Sequence, residues 1–427
     1  MGKGEEEIWK EIWSRTPEKE EEAPRRMEIA LDLLGRPEAL FRSVLVLGQG
    51  RRFASRLLCS LLDSYGIGAG LLCPSAPDLE KCIAAKGKPP EAKRLSDLYG
   101  ELKNFLSLAE ARFENEGLGK MGPLEILACL SALEFSDEPV DVAVFEVEEG
   151  EECETFSALR PEGCIFTPLP PEAPSPLLAE LIGQGAFAFS SPQDGDARAA
   201  LEERAQDAGA LVGFDGEQLE VSNDVPAVGG QVADLSTPSG LYPQVPIKLF
   251  GSFQAHMALL SLAAGEKLIT GGKLDGGIVG EAFSTVKVPG SLRPVAQDPL
   301  TLASASSAYF EMGLCLEAVE ENFHLSPLTA LICPGERFDP SFCPLLAEAA
   351  DLSVFVPDPL GKGPDKKELS EFALQSFAPG RAVVEESFEE GLKKAREAVL
   401  ASGQAQGGVL CAGGRGAFLA AQKAFRK

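Results

Sequence analysis

The chain has 427 residues, of which 44% are hydrophobic and 24% charged, with a formal net charge of −26. That length carries full cores for two or three domains, and no window approaches eighteen consecutive apolar residues, so the chain reads as soluble and cytoplasmic, with no membrane partner. The acidic balance excludes nucleic acid as a partner, because phosphate binding needs the opposite sign, and two histidines, His256 and His324, leave little for histidine-based metal or triad chemistry.

The start, Met1-Gly2-Lys3-Gly4-Glu5, carries no hydrophobic signal segment, and Glu6 stands where a myristoylation motif wants Ser or Thr. Residues 1–26 read as a charged extension in which Ile8, Trp9, Ile12 and Trp13 form a helix that docks its two rings on the body. Residues 27–34 then read as a helix closed by Gly35-Arg36-Pro37. Ten cysteines are scattered without a Cys-x-x-Cys pair. Several, such as Cys59 and Cys129, fall on apolar helix faces and read as reduced core residues.

A strand–helix alternation follows. Strands are predicted at 44–48, 69–73, 141–147, 163–167 and 186–190, with helices at 55–65, 95–115, 123–136 and 196–208. Such alternation means βαβ units and a mostly parallel sheet. Residues 212–250, rich in Gly, Pro, Val and Asp, read as short strands and turns, and 252–264 as a helix. After Pro289-Gly290 and Asp298-Pro299 a second alternating set appears. Its strands fall near 300–304, 328–333, 352–357, 382–385 and 408–412, with helices near 308–321, 340–350, 366–376 and 387–402. The fold class is therefore α/β, with domains at 27–293 and 294–427 behind the extension.

The first strand, Val44-Leu45-Val46-Leu47, runs into Gly48-Gln49-Gly50-Arg51-Arg52-Phe53-Ala54-Ser55 and then a helix with Leu57, Leu58, Leu61 and Leu62 on one face. A phosphate-cradling loop belongs at this place. It needs small residues so that backbone N–H groups reach phosphate, a Lys for the outer phosphates, and a Ser or Thr for magnesium. This loop offers Arg51, Arg52, Phe53 and Ala54 instead. Read as a dinucleotide fingerprint, it lacks the third glycine.

In order and spacing, from about residue 28 to 420, the chain resembles the folylpolyglutamate synthase/dihydrofolate synthase family of the Mur ligase superfamily. Leu34-Gly35-Arg36-Pro37 looks like the family's opening segment, and the family loop Gly-Thr-Asn-Gly-Lys-Gly-Ser falls without a gap on residues 48–54. Gly122-Pro123-Leu124-Glu125 matches its Phe-Glu segment, and Asp141 to Val147 matches the strand ending in its magnesium-binding Glu, here Glu146. Gly251-Ser252-Phe253-Gln254 resembles Gly-x-His-Gln, and Val288-Pro289-Gly290 resembles the entry to the C-terminal domain. The resemblance implies a P-loop-like Mur ligase central domain with a mostly parallel sheet and a smaller, Rossmann-like α/β C-terminal domain. It also implies an activity: ATP phosphorylates a pteroate or folate carboxylate, and the amino group of glutamate attacks the acyl phosphate.

Against that pattern most reactive positions have changed. Arg52 takes the place of the loop Lys, and Arg is no simple substitute for a compact ammonium. Phe53, standing for a glycine, is expected to obstruct phosphate. The acidic run Glu148-Glu149-Gly150-Glu151-Glu152 replaces a Gly-rich segment and reads as a solvated loop. The second metal ligand of the family, a His, maps near Ala173, and the substrate loop becomes Pro74-Ser75-Ala76-Pro77. The adenine-site Asn is Met257, the Arg at the domain entry is Ser291, and Asp-Gly-Ala-His-Asn falls on Ala303 to Ser307. Near the end, Gly413-Gly414-Arg415-Gly416 reads as a glycine-rich turn.

The expectation is a folylpolyglutamate synthase-like pseudoenzyme with a binding or regulatory role, its partner an active ligase paralogue or another protein. Gly48, Gly50, Arg52 and Gln254 are read as a vestigial nucleotide site and Glu146 as a metal ligand. No cofactor is expected, or ATP and Mg2+ if the ancestral activity persists. The enzyme alternative is a divergent ATP-dependent glutamate ligase using Arg52, Glu125, Glu146 and Gln254. A third reading is a small-molecule sensor that kept a pterin or peptide pocket.

Overall fold

In the computed structural model the described residues are 3–76, 79–148, 150–335 and 339–426. Met1, Gly2, Pro77 and Glu149, named above, lie outside them. The chain divides into two compact units. The first takes in residues up to Asn223, then Ala233–Pro246 and His256–Val286; the second takes in Asp224–Val232, Ile247–Ala255 and the chain from Lys287 onward.

The first unit is built on seven strands: β1 (Arg42–Leu47), β2 (Ala69–Leu72), β3 (Ile83–Ala85), β4 (Val142–Val147), β5 (Gly163–Phe166), β6 (Phe187–Ser190) and β7 (Leu211–Phe214). Their order is β3-β2-β4-β1-β5-β6-β7, parallel except for the edge pair β2–β3. Helices cover parallel strands on both faces, so such strands read as unbroken apolar runs. Val44, Leu45, Val46 and Leu47 are all fully buried, as are Val142 to Phe145. The Phe187 ring of β6 packs so closely over Gly163 of β5 that a Cβ there would lie 2.1 Å from it, and glycine is required there. A chain of edge-to-face and tilted rings, Phe41, Phe135, Phe145 and Phe156, runs through the core at centroid spacings of 5.8, 6.1 and 6.0 Å.

The charged extension forms a helix, Lys3–Trp13, with Ile12 buried and Trp9 stacked edge-on against Trp13 at 5.5 Å. What fastens this region is Arg26, in the helix Ala23–Leu33, which sequence patterning did not single out. Its guanidinium is fully buried and donates to both Glu125 carboxylate oxygens and to the carbonyls of Glu18, Lys19 and Leu118. The acidic segment after β4 also differs from expectation. Glu151–Leu159 is a 3-10 helix that buries Cys153, Thr155, Phe156 and Leu159, because its apolar residues recur every third or fourth position among the glutamates.

A three-stranded sheet follows, β8 (Glu220–Ala227), β9 (Gly230–Thr237) and β10 (Gly240–Ile247), with β9 in the middle. The second unit carries β11 (Arg293–Gln297), β12 (Leu300–Ala303), β13 (Leu328–Ile332), β14 (Leu352–Phe355), β15 (Ala382–Val384) and β16 (Gly408–Ala412). Their order is β11-β12-β16-β13-β14-β15, parallel from β12 onward, with one core on each face. Both units are α/β with mostly parallel sheets. Among the described residues no helix is long and apolar enough to cross a membrane.

Candidate functional site

In open α/β sheets ligands sit outside the carboxyl ends of the strands where the chain direction switches. In the first unit that point lies between β1, which leads to β2 on one side, and β5, which leads to β6 on the other. The residues there are Gly48-Gln49-Gly50 and Thr167-Pro168. Gly48 has φ +96° and backs so closely on Thr167 that a Cβ would lie 2.5 Å from its carbonyl oxygen. Gly50, at φ +80°, caps the helix Arg51–Ser64.

The loop is fastened to its own surroundings. The Gln49 N–H donates to the Pro168 carbonyl at 2.8 Å, and the Arg51 N–H donates back to Gly48 at 3.3 Å. The Arg51 side chain donates to the same Gly48 carbonyl at 3.2 Å and pairs with Glu148 at 3.3 Å. The Arg52 guanidinium lies 4.8 Å over the Phe53 ring, which is itself buried. Phe53 thus belongs to the packed body, and Arg52, at the Lys position, directs its charge at an aromatic face.

Glu146 sits where the sequence places it, at the carboxyl end of β4, and is 1% exposed. One carboxylate oxygen accepts the Ser55 hydroxyl at 2.6 Å; the other is buried with no hydrogen-bond partner among the described residues. The Ser55 contact was missed in the sequence, although Ser55 directly follows the position of the family's loop Ser. An orphaned buried oxygen invites a cation, but magnesium asks for an oxygen cage. Here the neighbouring groups include the thiols of Cys73 and Cys59, both of which feel the Glu146 charge. No three His, Cys, Asp or Glu side chains among the described residues form a metal-holding group. The residues present do not fit a resident magnesium.

Other predicted positions fall elsewhere. Glu125 is buried against Arg26 and also accepts the Gly122 N–H at 2.8 Å. Burial pushes its carboxyl up, with Arg26 opposing that shift. Gln254 lies in the second unit, at the start of the helix Phe253–Ile269, with its side-chain oxygen buried and unpartnered among the described residues. Met257 is a fully buried core residue. Ser304 and Ser306 are buried and hydrogen-bond to each other at 2.8 Å. Gly413 and Gly414 turn the chain after β16 with φ of +105° and +149°. His256 is more than a surface residue: its Nδ1 lies 2.6 Å from the buried Asp215 carboxylate, at the carboxyl end of β7.

Comparison with known proteins agrees with this architecture. A curated dihydrofolate synthase/folylpolyglutamate synthase of Mycobacterium tuberculosis is 24% identical over 402 residues, covering 88% of this chain and 82% of the relative. The folylpolyglutamate synthase of that organism solved with ADP superposes with a TM-score of 0.85 at 23% identity, over 99% of this chain and 97% of the other. In fold, and at 24% identity in sequence, the chain is similar to folylpolyglutamate synthases. The apo Lactobacillus casei enzyme gives a TM-score of 0.79 at 18% identity over 99% of both chains. The Thermotoga maritima enzyme gives 0.78 at 13% over 98% and 96%. No family model matches the chain.

Proposed function

We propose that this protein no longer runs the ligase reaction and serves as a binding or regulatory partner, of an active ligase with the same fold or of another protein. The observation that carries this reading is the loop closed on itself: the Gln49 amide, the Arg51 side chain and the Arg52 charge are all engaged by neighbouring groups of the chain. Ala54, at the family's Ser position, has no hydroxyl to offer a metal. Lost phosphate and metal contacts act as a set, each typically worth tens- to thousands-fold in rate.

A second reading, an active but divergent ATP-dependent glutamate ligase, is the one that the names of the relatives favour. It draws on Glu146, which keeps its place at the end of β4 with one oxygen unpartnered among the described residues. Calorimetry with MgATP separates the two, followed by an assay for glutamate-dependent ADP release with a folate or pteroate acid. The first reading expects no submillimolar binding and no ADP release. Magnesium-dependent binding with turnover overturns it in favour of the second.

A further inference from the structure

The neighbouring strands β12, β16 and β13 start level with one another, Leu300 beside Gly408 and Gly408 beside Leu328. The segments that lead into them enclose a cavity of about 490 Å³ at the amino end of the second sheet. That is the end opposite to the one where open α/β sheets hold nucleotides, and the volume is that of a small-molecule site. The floor is apolar, with Leu300, Leu325 and Val399. Two glycines shape it: Val399 and Leu325 lie 2.7 and 2.6 Å from where Cβ atoms on Gly407 and Gly408 would stand. Phe323, the last residue of the helix Tyr309–Phe323, adds a ring that Phe250 braces at 4.9 Å. The loop wall is fastened by the Ser326 N–H, which donates to the Gln406 carbonyl at 3.0 Å, and the Gly407 N–H, which donates to Gln404 at 3.3 Å.

The charge of the lining has one sign. Asp298 is exposed at the rim, and its carboxylate makes no hydrogen bond or ion pair among the described residues. Among the described residues no Lys or Arg lines the cavity. Arg396, close by, holds the Asp298 backbone carbonyl at 2.7 Å and lies 5.2 Å over the Phe425 ring. The other polar side chains of the lining, Gln297, Gln404 and Gln406, are neutral amides. A chain charge of −26 adds its own field, so anions are repelled here and cations drawn in.

We propose that this cavity binds a small organic cation, an amine with an apolar body. The body takes the space among Leu300, Phe323, Leu325 and Val399, where its surface leaves water. The ammonium stays at the rim beside Asp298, half in solvent, and so escapes the cost of burying a charge. The Phe323 ring adds its attraction for a cation.

The test uses the full-length protein and three probes with one ring and different charge: benzylamine, benzyl alcohol and benzoate, followed by ligand-detected NMR titration at neutral pH. Benzylamine, as its cation, should saturate a single site and bind more tightly than the alcohol, with benzoate weakest. Asp298→Asn should weaken the amine about three- to fivefold, the effect of one exposed charge partner. Asp298→Lys should reverse the order in favour of benzoate. Both changes fall at an exposed side chain, so the fold tolerates them. Glu371→Gln, at an exposed carboxylate outside the cavity, should change nothing, which separates the site from the general pull of an acidic surface. Absence of saturable amine binding, benzoate bound as tightly as the amine, or unchanged amine affinity in Asp298→Asn and Asp298→Lys overturns the proposal. None of these measurements involves MgATP, so their outcome is independent of the loop at residues 48–54.

Discussion

Arg26→Ala is expected to destabilise the first unit by about 3–5 kcal/mol, the cost of breaking a buried ion pair by removing one partner. The guanidinium is wholly enclosed and satisfies both oxygens of Glu125 and three carbonyls from segments up to 92 residues away. Its loss leaves Glu125 charged and 2% exposed, with the Gly122 N–H as its remaining partner. The chain's two tryptophans, Trp9 and Trp13, lie in the helix just before Glu18 and Lys19, whose carbonyls Arg26 holds, so intrinsic fluorescence during urea unfolding reports on this region. The pH dependence follows from sign. Glu125 has a carboxyl raised in the folded state by burial, so its ionised form opposes folding above that raised value. This penalty fades as pH falls through it toward the ordinary carboxylate range. Removing Arg26 takes away an opposing influence, so the deficit should be largest near neutrality and shrink on acidification. The double change Arg26→Met with Glu125→Leu should recover most of the loss. A loss below about 1 kcal/mol for Arg26→Ala, or one that grows on acidification, would refute the reasoning.

Other changes test other parts of the fold. Tyr242→Phe should cost about 1–3 kcal/mol by thermal or urea unfolding, because its hydroxyl donates to the buried Glu266 and accepts the Leu274 N–H. Phe145→Ala, in the middle of the ring chain, should cost about 3–5 kcal/mol in the same assay. Gly416→Ala, in the helix Arg415–Phe425, should destabilise the second unit by about 1–3 kcal/mol, since the new Cβ would meet the Asp358 carboxylate at 1.6 Å; an unchanged melting curve would show that the Asp358 side chain gives way freely. Ser55→Ala should cost about 1–3 kcal/mol, because Glu146 loses its hydroxyl partner.

The parallel strands were legible because burial on both faces makes them plain apolar runs: predicted strands 44–48, 163–167 and 408–412 appear as Arg42–Leu47, Gly163–Phe166 and Gly408–Ala412. Edge elements were not. β3 is Ile83-Ala84-Ala85, too short for any periodicity, and β11 carries a proline and partly exposed residues that read as a loop. The helices Gly276–Thr285 and Arg415–Phe425 open on glycine-rich segments that look like turns. Glu151–Leu159 was hidden because its charges outnumber the buried Cys153 and Phe156 in a short window. At the site, positions were legible and partnerships were not. Glu146 fell where the strand pattern put it, whereas the Arg26–Glu125, Ser55–Glu146 and Asp215–His256 contacts join residues 41 to 99 apart in sequence, which no local pattern encodes.

A protein whose loop amides bind phosphate melts at a temperature that climbs with nucleotide concentration. In this chain the Gln49 amide already has the Pro168 carbonyl, so the turn from strand to helix is braced before anything arrives. If the proposed loss of nucleotide binding holds, the melting temperature stays the same when MgATP is added.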